Sequence, residues 1–100
     1  MNYKSKRWKK LREAVLRRDG YLCQYEARFG KRVEATTVHH ILPAEKYPEY
    51  QWEPWNLISL STVAHNKMHD RESHELTDEG MKLVERLKKK QTIPPGSSVF

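Results

Sequence analysis

One hundred residues suffice for one hydrophobic core and leave no room for a second. The apolar share is a low 37%, and a single cysteine, Cys23, excludes an internal disulfide, so a metal ion is the remaining external source of stability for so small a domain. The formal charge of +6 is uneven: Lys4, Lys6, Arg7, Lys9, Lys10, Arg12, Arg17 and Arg18 all fall within the first eighteen residues. A cluster of that kind attracts polyanions, and phosphate contacts supply most non-specific nucleic-acid affinity. The plainer account is a solvated helix face. No apolar run approaches a membrane span and the N-terminus is too polar for a signal peptide, so a cytoplasmic protein with no membrane partner is expected.

Residues 5–18 form the first predicted helix. Trp8, Leu11 and Val15 recur at helical spacing with Leu16 widening the stripe, Ser5 can cap the start, and Asp19-Gly20 stops it. Two short strands are predicted at 21–25 and 31–34, joined through a turn at Phe29-Gly30. The run 38–42 is β-rich and ends at Pro43; 44–50 is polar and loop-like. A second arm at 51–59 carries Trp52, Trp55, Leu57 and Ile58 and is interrupted at Pro54, which leaves the backbone irregular around Asn56.

Ser61 or Thr62 can cap a helix to about Arg71, with Val63 and Met68 facing inward and His65 and His69 sharing another face. Thr77 opens a last helix with Asp78 and Glu79 in its first turn and Lys88-Lys89-Lys90 at its end, charges that suit the helix dipole. Met81, Val84 and Leu87 are its expected buried stripe. The expected organisation is one domain over 1–92 and a flexible tail over 93–100, where Pro94-Pro95-Gly96-Ser97-Ser98 breaks regular structure.

The histidines carry the chemistry. Neighbours on a strand point to opposite faces, so of His39 and His40 one can ligate a metal while the other faces a substrate. Residues four apart on a helix are neighbours, so His65 and His69 can clamp a metal between them. Three neutral imidazoles and an open position suit Zn²⁺ or a similar divalent ion, and the remaining imidazole, with an ordinary pKa near ~6.5, can take a proton from water at neutral pH. Taken singly the features are ordinary. Surface helices carry paired histidines without metal, Asn56 fits a turn, His74 fits an exposed position, and Trp52 and Trp55 are more simply core fillers than stacking platforms.

Taken in order, Val38-His39-His40-Ile41, Trp55-Asn56-Leu57 and Ala64-His65-Asn66 resemble the HNH nuclease family with its ββα-metal (His-Me finger) fold. The lead-in from Arg17 to Gln24 is similar to that of many small phage and bacterial members, and the resemblance spans roughly residues 8–70. It implies an α+β fold: a β-hairpin and a metal-bearing helix, flanked by an N-terminal and a C-terminal helix. It further implies His40 as general base, Asn56 as the residue that holds the hairpin loop and orients the base, His39 and His65 as metal ligands, and His69 as an additional helix ligand. The implied reaction is in-line hydrolysis of a DNA phosphodiester with one divalent ion (Mg²⁺, Mn²⁺, Ni²⁺ or Zn²⁺) stabilising charge on the phosphate, leaving 5′-phosphate and 3′-hydroxyl ends.

Arg7, Lys10, Arg17, Arg18, Lys67 and Arg71 are the candidate contacts to double-stranded DNA. No dedicated recognition module is visible, so weak intrinsic specificity is expected, and by analogy with small members encoded beside phage packaging machinery the implied partner is a terminase. Relatives carry two CxxC pairs for a structural zinc at positions equivalent to Cys23, Glu26, Ser61 and Ala64; only Cys23 remains, so a structural zinc is not expected. Cys23 then reads as a small buried residue, with Trp8, Trp52, Trp55 and Tyr21 supplying packing instead. The alternative is a non-catalytic DNA-binding module stabilised by a metal.

Overall fold

The computed structural model describes residues 2–70, 72–73 and 75–90; the expected tail at 93–100, Arg71 and His74 lie outside them. Helix α1 spans Lys6–Arg18. Its first turn is closed by Ser5 Oγ, which accepts from the Trp8 amide at 3.1 Å, and its inner face buries Trp8, Val15 and Leu16. Beyond it, Gly20 and Tyr21 both take left-handed backbone angles (φ 65° and 59°), which turns the chain out of extended geometry.

The two strands expected at 21–25 and 31–34 do not form. A short helix α2 occupies Gln24–Ala27, and the flanking segments meet only at a Leu22–Glu34 bridge. The Cys23 amide bonds to the Val33 carbonyl at 2.7 Å and the Ala35 amide to that of Tyr21 at 2.8 Å, so pairing is confined to the few residues between the left-handed turn and α2. Cys23 is fully buried as expected, whereas Tyr21 is 43% exposed and adds little packing.

Strand β1 (Thr37–His40) pairs antiparallel with β2 (Leu57–Leu60), His39 opposite Ile58 and His40 opposite Leu57. The connection runs through two 3₁₀ turns, Pro48–Tyr50 and Pro54–Asn56, each opened by a proline whose fixed φ suits the first helical position. Opposed residues share a face, so the ribbon has two sides. Val38 and Leu57 pack with Ala35 under Trp8, Val15 and Leu16 of α1. Leu60 belongs to the larger core of Cys23, Ile41, Leu42, Tyr50, Ala64, Met68, Leu83, Val84 and Leu87. Trp52 and Trp55 are half-buried at the margins of these two clusters.

Helix α3 is capped by Ser61, whose Oγ accepts from the Ala64 amide at 3.1 Å, and covers only Thr62–Asn66, well short of the expected Arg71. The cause lies in helix α4 (Asp78–Lys90) and the residue before it. The Met68 carbonyl accepts from the Thr77 amide at 2.9 Å and the Lys67 carbonyl from Thr77 Oγ1, so neither is left to extend the helix. Ala64 defines the inner face, Met68 is buried just beyond the helix end as expected, and Val63, about one hundred degrees round the helix from Ala64, is 66% exposed instead of facing inward. In α4 the inner face is Gly80, Leu83, Val84 and Leu87, while Met81 is 44% exposed. Gly80 belongs to that stripe despite having no side chain, because a Cβ there would lie 2.5 Å from the Met68 carbonyl oxygen. No described helix is long and apolar enough to cross a membrane.

Candidate metal centre

Three imidazoles converge from three different pieces of chain. His39 projects from β1 and is 2% exposed; His65 comes from α3; His69 lies beyond the end of α3, on a bridge with Leu76. Their ring centroids are 5.2 Å (His39–His65), 5.3 Å (His39–His69) and 6.1 Å (His65–His69) apart, and one nitrogen from each falls within 4.8 Å of the others. The helical argument for pairing His65 with His69 is therefore replaced by a different one. The Thr77 clip ends the helix and then holds the 67–68 backbone that leads into His69.

Electrostatics keep this cluster ready for a cation. Burial, and then the neighbouring His65 and His69, push the His39 pKa well below the ordinary value of 6.5. Burial and His69 lower that of His65. Neutral imidazoles with free lone pairs are the ligand form. His39 Nε2 is buried with no hydrogen-bond partner, an arrangement costly for a polar atom unless something coordinates it. The donor set thus fits a divalent cation, and its nitrogen-only character favours zinc or a late first-row ion over magnesium.

His40 is 8% exposed and stacks on Trp8, with ring centroids 5.4 Å apart and planes 19° from parallel. Its Nε2 lies 3.0 Å from the Gln51 carbonyl oxygen. A carbonyl only accepts, so Nε2 carries the proton and Nδ1 the basic lone pair. Burial lowers the His40 pKa, with the Gln51 hydrogen bond pulling partly the other way. His40, His65 and His69 line one cavity of about 680 Å³ together with Trp8, Arg12 and Glu45.

Asn56, fully buried, reaches across the loop that contains Gln51. Its Oδ1 accepts from the Leu42 amide at 2.8 Å, and its Nδ2 donates to the carbonyls of Leu42 (3.1 Å) and Tyr50 (3.2 Å). It therefore fixes both ends of the hairpin connection and, through Tyr50, the neighbouring carbonyl that holds His40.

The basic candidates divide by what they already touch. Lys10 is exposed, and Arg17 is exposed with Glu13 at 3.8 Å. Arg7 lies 4.0 Å over the Trp52 ring, and the Lys67 ammonium 5.5 Å over Tyr25. Arg18 is tied down: it donates to Asp19 and to the carbonyls of Pro54 (2.9 Å) and Leu57 (2.7 Å), bracing α1 against the hairpin. Sequence reasoning passed over Arg12, whose guanidinium donates to the Thr36 carbonyl at 2.9 Å and lines the His40 cavity. Its position four residues after Trp8, on the same helix face, was the available signal.

The chain matches no family model, and no curated protein matches it. Among solved structures it is similar to the HNH endonuclease of the deep-sea thermophilic bacteriophage GVE2, crystallised with a manganese ion. The two share 29% sequence identity with a TM-score of 0.62, over 89% of this chain and 82% of the other.

Proposed function

We propose that the chain, similar in structure to an HNH endonuclease, is a metal-dependent endonuclease of that family that hydrolyses phosphodiester bonds of double-stranded DNA. The observation that carries the reading is the shared cavity: an oriented, neutral imidazole at His40 opens onto the same space as His65 and His69, which cluster with His39. A divalent cation held by His39, His65 and His69 would supply Lewis-acid stabilisation of the charge that grows on the phosphate. The three-imidazole set suits one ion, and the manganese of the phage neighbour makes Mn²⁺ the first to try.

The protein's own contributions follow from geometry. His40 Nδ1 takes the proton of the attacking water while Nε2 donates to Gln51, so the imidazolium is hydrogen-bonded as it forms. Asn56 is a positioning residue that keeps the Gln51 carbonyl in place. Arg12, at the cavity wall, supplies a guanidinium for a phosphate oxygen. Lys10, Arg17, Arg7 and Lys67 hold flanking phosphates, which positions the duplex without reading its sequence. Residues 1–92 act as one nuclease domain, in the cytoplasm of a host cell. Site choice falls to a partner, and by analogy with small HNH proteins encoded beside phage packaging machinery that partner is a terminase.

Plasmid nicking tests the reading. With Mn²⁺, Mg²⁺ or Ni²⁺ added, the native chain should convert supercoiled to open-circular or linear DNA, and His40→Ala should lose at least a hundredfold in rate, the low end of what a general base contributes. Equal cutting by both proteins removes His40 from the mechanism. Retained DNA binding with no cutting in any metal identifies a non-catalytic binding module.

A further inference from the structure

A second cavity, of about 500 Å³, lies against β2, and none of its lining residues belongs to the cavity that holds His40. Ile41, Ile58, Leu83 and Leu87 make an aliphatic floor, Trp55 an aromatic wall, and Arg28, Arg86 and Lys90 a cationic rim. A cleft of this size, mainly apolar with a few convergent polar groups, has the build of a small-ligand site.

The rim is not neutralised from within. Asp19 is the acid in the lining, and its carboxylate already accepts from Arg18 (2.9 and 3.0 Å) and from the Ser59 amide (3.0 Å). Among the described residues neither Arg86 nor Lys90 has a carboxylate partner. Burial, and then the guanidinium of Arg28, disfavour the protonated form of half-buried Arg86. Arg28 also feels the Glu79 carboxylate, but its oxygens already accept from Tyr25 (3.1 Å) and Lys82 (3.2 Å), so an anionic ligand would offset guanidinium charge that remains at the rim.

The shape narrows the ligand. Bare phosphate would leave the floor unused, and an intact duplex keeps its bases stacked inside, away from the floor. Gln24 directs Nε2 to the carbonyls of Asp19 (3.1 Å) and Leu22 (2.9 Å), which leaves its Oε1 to accept from an exocyclic amine. We propose that this cavity binds a nucleotide, its phosphate on Arg28, Arg86 and Lys90 and its base against Trp55 and the aliphatic floor. The nucleotide is either free or the 5′-phosphorylated end of a single strand.

The test uses the full chain in EDTA, so that it stands apart from cleavage. Amide and indole resonances are followed by NMR during titration with dAMP, dTMP, deoxyadenosine, inorganic phosphate and a 5′-phosphorylated single-stranded tetramer. The expected result is that dAMP shifts the Trp55 indole and the amides of residues 83–87, more tightly than dTMP, with phosphate and deoxyadenosine each at least tenfold weaker. Binding of the tetramer to the same resonances, tighter than dAMP, identifies a strand end as the source; equal affinity identifies a free nucleotide. The double variant Arg28→Ser, Arg86→Ser should weaken dAMP at least tenfold while leaving plasmid nicking within twofold of the native rate. Phosphate binding as tight as dAMP, shifts confined to the histidine cavity, or nicking that falls in step with the double variant would each overturn the proposal. So would tighter binding at this cavity of a glutamate-rich peptide bearing a leucine, which would assign it to protein docking.

Discussion

Replacing Asn56 by alanine separates the residue's structural work from the positioning role proposed for it. The side chain makes three buried hydrogen bonds, with the Leu42 amide, the Leu42 carbonyl and the Tyr50 carbonyl. At a net ~1 kcal/mol each, and with the partners left buried and unsatisfied, Asn56→Ala should lose about 3–4 kcal/mol. For a domain of this length that corresponds to a fall in Tm of roughly 15 °C. A ligand at one hundred times its Kd restores about 2.7 kcal/mol, so saturating Mn²⁺ should bring most of the variant back to the folded state.

Catalysis should not return with the fold. With the loop released, the Gln51 carbonyl no longer fixes the His40 tautomer and orientation, and kcat should remain roughly tenfold to a hundredfold down with KM little changed. Urea denaturation followed by tryptophan fluorescence, with and without metal, gives the first half; nicking kinetics on folded protein give the second. A variant within about 0.5 kcal/mol of the native chain, the ordinary scatter of surface substitutions, would refute the structural half. Native kcat in the metal-restored variant would refute the positioning role.

Other outcomes follow from the same centre. His39→Leu should be as stable as the native chain or about 1 kcal/mol more stable in EDTA, since it removes a buried unpartnered nitrogen, yet lose the metal-induced rise in Tm that differential scanning fluorimetry reads. The metal-free chain should lose stability as pH falls below 6.5. His39, His40 and His65 have folded-state pKa values below that unfolded reference, so the unfolded chain takes up protons first, and the loss levels off only once the folded-state values are passed. Urea midpoints in EDTA between pH 8 and pH 5 check the sign; a midpoint that rises on acidification contradicts it. Gly80→Ala should destabilise despite alanine's higher helix propensity, because its Cβ would meet the Met68 carbonyl oxygen at 2.5 Å and Leu76 Cδ2 at 2.9 Å, and overpacking of this kind costs about 1–3 kcal/mol.

Much of the fold was legible where local signals and periodicity agree. Ser5 and the Trp8-Leu11-Val15 stripe placed α1, and the His39-His40 run and Asn56 placed the hairpin that carries the site. Where a distant segment decides, the local reading failed. The strand expected at 21–25 required extended backbone that Tyr21 abandons. The α3 helix expected to reach Arg71 lost its carbonyl acceptors to Thr77, ten residues on, which no window over 62–71 contains. In α4, Val84 and Leu87 are buried as expected, but the stripe begins at Gly80 and not at Met81, because Gly80 is defined by a close approach to the Met68 carbonyl and not by a hydrophobic side chain. Arg12 was missed because its role depends on where the α1 face lands, against Thr36 and the cavity, and charge alone does not reveal that.

The shortness of α3 connects the C-terminal helix to the metal centre. His65 is held by helical bonds within α3, but His69 has left the helix, and its backbone position depends on the 67–68 segment that Thr77 clips by two hydrogen bonds. Thr77 also accepts from the Gly80 amide at 3.2 Å through Oγ1, so one hydroxyl both caps α4 and fixes the approach to His69. Thr77→Val keeps the backbone bond and the volume while removing the hydroxyl. Loss of a cap of this type costs about 1 kcal/mol in stability. If His69 ligates, the variant should also bind Mn²⁺ or Zn²⁺ severalfold more weakly by calorimetry, through a ligand that has lost its orientation and not its chemistry. If His69 contacts phosphate instead, metal affinity should stay at the native value while DNA affinity falls. The outcome assigns His69 without touching the imidazole itself, which a His69→Ala substitution would remove from both roles at once.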